Sequence, residues 1–251
     1  MNTTIQYKPN VEIVSDPESL AERSVAIFVG RAGRAIEARD AFRVAVSGGN
    51  TPKRFFELLG TSPQARSLSW DRIQLFWVDE RIVPVESHLS NYKLAADTFL
   101  LAVPIPEGNV HRIPTEQGDF SGTARQYEKT IRGVFGLEPG QVPQFDLIVL
   151  GMGVDGHTGS LFPNSYASFD TEDLACAVYV LDEKLTRITL THPVLAAASH
   201  LVVQVCGPEK AQILKEVLTS EPDEVRYPIH ALWPALDKVT WLVDRAAAQG
   251  L

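Results

Sequence analysis

Cysteine and methionine are scarce in this chain, two of each among 251 residues. Cys176 and Cys206 are too few for a disulfide framework and lack metal-ligand spacing, which predicts a reducing, cytoplasmic setting. No apolar run approaches the ~18–20 residues needed to cross a bilayer, and the opening MNTTIQYKPN has no signal-peptide core. A membrane partner is therefore not expected. Positive charge is in deficit: 23 Lys and Arg stand against 31 Asp and Glu, a formal net charge of −8. That balance argues against nucleic acid as a partner, and any anionic ligand must be met by a local cluster of Arg and Lys. Internal repeats, low-complexity tracts and a convincing linker are missing too, so one domain over residues 1–251 is the expectation. Neither the phosphate-cradling Walker sequence nor the G-x-G-x-x-G dinucleotide fingerprint is present.

What the chain does have is a series of short apolar runs that end in glycine or charge. The clearest is Phe145–Pro163, FDLIVLGMGVDGHTGSLFP. Its Leu-Ile-Val-Leu core suits a strand buried on both faces of a parallel sheet. Gly151, Gly153 and Gly156 follow, with Asp155 between them and His157 beside them. Small residues there let backbone approach a ligand, and an imidazole at the carboxyl end of such a strand is well placed for chemistry.

Earlier in the chain, Val11–Val14 reads as a strand, and Ser15 and Glu18 have capping-box spacing around Pro17. Ala21, Val25, Phe28, Ala32 and Ile36 recur at helical spacing, predicting a long amphipathic helix to about Ala38. Residues 43–51, RVAVSGGNT, predict a strand breaking into a Gly-Gly turn before a helix, with Pro52 in its first turn. That geometry aims free backbone N–H groups at an anion, although Gly-Gly before a helix also serves as a plain tight connection. The hydroxyls of Ser47 and Thr51 are potential further donors.

Residues 73–81, IQLFWVDER, predict a buried strand ending in Asp79, Glu80 and Arg81. Solvated loop charge is the alternative for those three. Ser90 is a candidate helix cap, with His88 and Asn91 in or beside the preceding loop and His88 read as surface. Val110–Ile113 holds a possible short strand, and a helix is predicted from about Asp119 to Phe135. Asn164–Asp173 is polar and aperiodic. Ala177–Leu181 and Arg187–Leu190 form a candidate hairpin across Asp182, Glu183 and Lys184. Residues 201–205 and the start of 239–247 predict two further strands, and a helix opens at Gly207-Pro208-Glu209-Lys210. A lysine in a first turn opposes the helix dipole, which makes sense if an anion lies between it and the helix. The βαβα order predicts a doubly wound, mostly parallel Rossmann-like α/β sheet with helices on both faces and a small excursion after the glycine-rich loop.

Taken in order, SGGNTPKRFFELL, FWVDERIVP followed by SNY, FDLIVLGMGVDGHTGSLFP, KLTRITLT, GPEKA and VTWLVDRAA resemble the 6-phosphogluconolactonase family, from about residue 10 to the C-terminus. The chain departs from the family pattern at Val154, where Pro is common, and Gly159, where Ala is common. The resemblance implies a fold shared with glucosamine-6-phosphate deaminases. It also implies hydrolysis of 6-phospho-D-glucono-1,5-lactone, a small sugar-phosphate lactone, without metal or cofactor. It assigns His157 as the proton-transfer residue and Asp155 as its orienting partner. Histidine suits the role because imidazoles ordinarily titrate near pH 6.5. Backbone N–H groups of the glycine-rich turn are candidates for the oxyanion. For the phosphate it implies Arg81 and Lys210, then Arg187, with donors from Gly48, Gly49, Asn50 and Thr51. Asp79 would accept from sugar hydroxyls or hold Arg81, and Arg187 could instead pair with an acidic neighbour.

Two rivals remain. A deaminase-isomerase would share these elements and use the first carboxylate of the Asp79-Glu80 pair as a base. A non-enzymatic sugar-phosphate module would normally accompany a DNA-binding segment, for which no basic helix-turn-helix candidate is present. The oligomeric state, monomer or small homo-oligomer, is not legible.

Overall fold

The computed structural model describes residues 9–116, 118–165, 167, 170, 172–181 and 184–251. Its elements in chain order begin with β1 (Asn10–Val14), α1 (Pro17–Arg39), β2 (Phe42–Val46), α2 (Asn50–Thr61) and the short α3 (Pro63–Arg66). Then come β3 (Ile73–Trp77), β4 (Asp79–Arg81), α4 (Asn91–Thr98), β5 (Val110–His111), α5 (Phe120–Phe135) and β6 (Leu147–Gly151). The chain closes with β7 (Ala175–Val180), β8 (Leu185–Leu190), α6 (His192–Ala197), β9 (Leu201–Val205), α7 (Ala211–Thr219) and β10 (Val239–Asp244).

Seven strands form one parallel sheet in the order β1-β10-β9-β6-β2-β3-β5. Its strands read as continuous apolar runs because both faces are covered: every residue of β9 and β10 is buried. The chain steps one way through β2, β3 and β5, then returns and steps the other way through β6, β9 and β10. Right-handed crossovers then place the two sets of connections on opposite faces, and the direction reverses between β2 and β6. The loops that leave those two strands are Ser47–Gly49 and the run beginning at Met152. The doubly wound reading thus holds, and it puts both glycine-rich turns at the crevice where such sheets take ligands.

Local signals set most boundaries. α1 packs on α2, where Arg54 reaches Glu18 at 2.7 and 2.8 Å. The cap of α1 is a correction: Asp16, not Ser15, accepts from the Ser19 N–H at 2.8 Å, and Ser15 instead donates to the Asp16 carboxylate. A carboxylate one residue nearer the first turn reaches the free N–H more directly. Ser90 caps α4 as expected, accepting from Lys93 N.

The larger correction concerns residues 73–81, which are two strands rather than one. Tyr127, fully buried on α5, donates its hydroxyl to Trp77 O at 2.6 Å and accepts from Trp77 N at 3.0 Å. Val78 then takes one partner from each sheet: its N–H donates to Val46 O and its carbonyl accepts from Leu190 N. Beyond it, Asp79–Arg81 pairs antiparallel with β8, which pairs with β7, in a separate three-stranded sheet. The expected excursion therefore includes a strand from far upstream. In the β7–β8 hairpin, Asp182 and Glu183 of the predicted tip lie outside the described residues. So do Tyr166, Ser168, Phe169 and Thr171 of the aperiodic segment.

Tyr127→Phe should leave two buried backbone groups of Trp77 unsatisfied and lower the unfolding free energy by about 2–3 kcal/mol. Urea denaturation with an unchanged slope is the check, and a loss below ~0.5 kcal/mol would mean that water replaces the phenol.

Candidate active site

The carboxyl ends of β2 and β6, together with β4 and β8 of the small sheet, open into one cleft of about 360 Å³. Gly48, Gly49, Asn50, Thr51, Asp79, Arg81, His157, Arg187 and Lys210, all singled out from the sequence, line it. Asp155 stands beside His157 on the rim of a neighbouring groove.

One end of the cleft gathers positive charge. The chain turns from β2 into α2 through Gly49, whose φ of 104° belongs to glycine, and no side chain caps the helix. The first turn of α2, uncapped and at the positive end of the helix dipole, therefore lies at the cleft, where Asn50 and Thr51 line it. Arg81 and Arg187 are direct partners across β4 and β8, and both line the cleft. Like charges directly opposite destabilise a sheet unless something offsets them. Part of the offset is internal: Arg81 donates to Leu89 O at 2.9 Å and to Asn91 Oδ1 at 3.1 Å. Arg187, buried at 5% exposure, lies 3.7 Å from Asp79 Oδ2 and over the Phe162 ring at 5.4 Å.

Lys210 ends the tight turn Pro208–Lys210 and sits at the N-cap of α7 rather than inside it. Burial pushes its ammonium below the ordinary lysine value, against the pull of Glu209 and Asp155. Two opposed guanidinium groups, a partly desolvated ammonium and an uncapped helix start thus gather positive charge at this end of the cleft.

The other end carries the imidazole. His157 Nδ1 lies 2.6 Å from Asp155 Oδ1, which also accepts from the His157 N–H at 3.1 Å. Burial works against the Asp155 charge, but the bonds and charge from His157 outweigh it and hold the carboxyl below its usual range. An ionised carboxylate only accepts, so Nδ1 carries the proton and Nε2 is the basic atom. The turn depends on its glycines: a Cβ at Gly153 would overlap the imidazole, and Gly156 has φ 83° with Tyr227 close behind. Phe162 packs against the imidazole with ring centroids 4.5 Å apart. Gly159, where the family pattern has Ala, has φ 54° beside Thr189 and Val78.

The Asp79-Glu80-Arg81 run divides by strand alternation. Asp79 and Arg81 face the cleft; Glu80, 1% exposed, faces α4 and accepts from Arg81 N, Asn91 N, Tyr92 N and the Ser90 hydroxyl. Asp79 accepts from the Ser160 hydroxyl at 2.7 Å. Ser160 and the cleft-lining role of Asn91 were not foreseen, since neither a serine after a glycine turn nor an asparagine after a loop is a distinctive signal. Ser47 Oγ is buried at the cleft with no partner among the described residues. Cys206 is no nucleophile candidate: burial pushes its thiol up to about 12, and Sγ donates to Asp244. Among the described residues, no group of three His, Cys, Asp or Glu side chains is placed to hold a metal ion, and no helix is long and apolar enough to cross a membrane.

The family model described as glucosamine-6-phosphate isomerases/6-phosphogluconolactonase matches residues 15–241. A 6-phosphogluconolactonase of Synechocystis is 37% identical over 243 residues, covering 97% of this chain and 98% of that one. One from Nostoc is 35% identical over 244 residues, covering 97% and 99%. Among solved structures, 6-phosphogluconolactonase from Leishmania guyanensis superposes with a TM-score of 0.84 at 28% identity, covering 98% of this chain and 99% of the other. The full-length match in sequence and architecture makes this chain a member of the glucosamine-6-phosphate isomerase/6-phosphogluconolactonase family.

Proposed function

We propose that this chain is a 6-phosphogluconolactonase that opens 6-phospho-D-glucono-1,5-lactone to 6-phosphogluconate in the oxidative pentose phosphate pathway. The observation that carries the reading is the pairing of Arg81 with Arg187 in the same cleft as the Asp155–His157 couple. A phosphate anchors at one end, and a strained ester-like ring is presented at the other. The names of the relatives support the same substrate.

A lactone carbonyl is already electrophilic, so the protein has to bind, orient and activate water. His157 Nε2 takes a proton as water oxygen bonds to C1, and the carbonyl electrons move onto its oxygen. Asp155 holds the ring by Nδ1 and stabilises the imidazolium. In the Gly153–Gly156 turn the Gly153 and Gly156 N–H groups donate to His157 O and Gly153 O, so the Val154 N–H is the donor that stabilises the oxyanion, a role in which one donor is worth roughly 3–4 kcal/mol in other enzymes. When the intermediate collapses, the bond from C1 to the ring oxygen breaks and His157 returns its proton to that oxygen. The product is a free C5 hydroxyl and a carboxylic acid, which ionises. No group other than water is added.

A deaminase reading needs a free carboxylate base. Asp79, its counterpart here, is 4% exposed, accepts from Ser160 and faces Arg187. Ammonia release from glucosamine 6-phosphate, with no acceleration of lactone opening over the spontaneous rate, would overturn the assignment.

His157→Ala should lower kcat by about 10²–10⁴-fold and leave KM within a few-fold, measured by pH-stat on fresh lactone. An unchanged kcat would remove His157 from the mechanism. Arg81→Ala and Lys210→Met should each raise KM by about tenfold or more, since phosphate contacts bind substrate and transition state alike. The ammonium of Lys210 binds the anion, and its proton is lost at lower pH than that of an exposed lysine. Affinity for 6-phosphogluconate should therefore fall between neutral pH and the ordinary lysine value in the parent protein. In Lys210→Met that fall should be shallower, and equal pH slopes would place the phosphate away from Lys210.

A further inference from the structure

Glu80 faces away from the cleft, yet it fixes a side chain inside it. Its Oε1 accepts from the N–H groups of Arg81 and Asn91, both at 2.8 Å. Its Oε2 accepts from the Tyr92 N–H at 2.8 Å and the Ser90 hydroxyl at 2.9 Å. One buried carboxylate thus clamps the start of α4 against β4. Negative charge at a helix start is favoured, and four donors offset much of the burial that pushes this carboxyl up.

The clamp sets the Asn91 side chain between three walls of the cleft. Nδ2 donates to the Asp79 carbonyl at 2.8 Å, and Oδ1 accepts from the Arg81 guanidinium at 3.1 Å. The amide also rests on Gly48, where any Cβ would overlap it. Asn91 is only 3% exposed. An amide suits this place as no other small side chain does. It offers a donor to a carbonyl and an acceptor to a cation, and it remains neutral beside an anion site. A carboxylate of the same shape would lose the donor and compete with the ligand for Arg81. An apolar side chain would leave the Asp79 carbonyl without this bond, and the guanidinium held by Leu89 O but without its tie to the Gly48 wall.

We propose that Asn91 is a positioning residue: it holds the Arg81 guanidinium beside the Gly48–Thr51 turn, so that arginine and helix N-terminus address one phosphate together. This rests on the reading of that end of the cleft as the phosphate site.

The test is a double-mutant cycle with the lactone as substrate: Asn91→Ala, Arg81→Ala and the two combined, with thermal unfolding recorded for each. Asn91→Ala should raise KM about tenfold while kcat stays within about threefold. The double variant should show the KM of Arg81→Ala alone, because a residue that works through Arg81 then has nothing left to hold. If Asn91→Ala does not fold, Asn91→Ser removes the amide yet suits a helix start, and enters the same cycle with the same expectation. An elevated KM in Arg81→Ala combined with multiplying effects in the double variant would overturn the positioning role alone. So would an unchanged KM in a folded Asn91 variant. An unchanged KM in Arg81→Ala would overturn the phosphate assignment and the positioning role with it.

Discussion

A parallel sheet buried on both faces leaves little room for charge along its strands, and that dryness decides where everything else sits. Strands β6, β9 and β10 have few polar side chains: Gln204 donates to Ser24 while its Oε1 has no partner among the described residues, and Asp244 takes the Gly207 and Ala247 N–H groups. Polar chemistry is pushed to the strand ends. At the carboxyl ends, the backbone of one strand leads into the free N–H groups of the next helix. The reversal of winding between β2 and β6 separates their two exit loops, and the cleft lies between them. The Gly48–Gly49 turn and the imidazole turn therefore sit on adjoining strands, held apart by the sheet.

A parallel sheet alone would give one wall. The second comes from Val78, which donates to β2 and accepts from β8. By tying off β3 at Trp77, Tyr127 frees the next three residues to join another sheet. Strand alternation then sends Asp79 and Arg81 into the cleft and Glu80 behind it. The buried carboxylate is tolerable only because four donors converge on it, and those donors come from the elements that must be held together. Losing one partner would leave a desolvated charge, which costs more than the bond itself contributes.

Much of this was legible in the sequence because it follows from local periodicity. The apolar runs at Leu147–Gly151 and Leu201–Val205, the Gly48-Gly49 turn and the α/β winding depend on residues close in the chain. The gathering of Arg81, His157, Arg187 and Lys210 in one cleft was expected from the family resemblance rather than from periodicity. What stayed hidden depends on distant partners. The break at Val78 is enforced by Tyr127, 50 residues away in the chain. The meeting of Ser160 with Asp79 spans 81 positions. Nothing in SNY says that the asparagine turns inward, since that follows from Glu80 capturing the backbone of α4. The helix cap at Asp16 was misplaced for a simpler reason: Ser15 and Asp16 are both good caps, and spacing alone does not choose between neighbours.

The two ends of the cleft are not electrically independent. Asp155 orients the imidazole and also pulls on the Lys210 ammonium, whose burial otherwise favours the neutral amine. In the proposed reaction the imidazole gains a proton while the carbonyl oxygen gains a negative charge. Asp155 favours the first change, and it shields the new cation from Lys210. In the proposed complex, a doubly charged phosphate on Arg81 and Lys210 would offset the positive charge on that side. The overall charge of −8 has little part in this. Charges beyond about 8 Å are largely screened at physiological salt, so the groups lining the cleft set the balance.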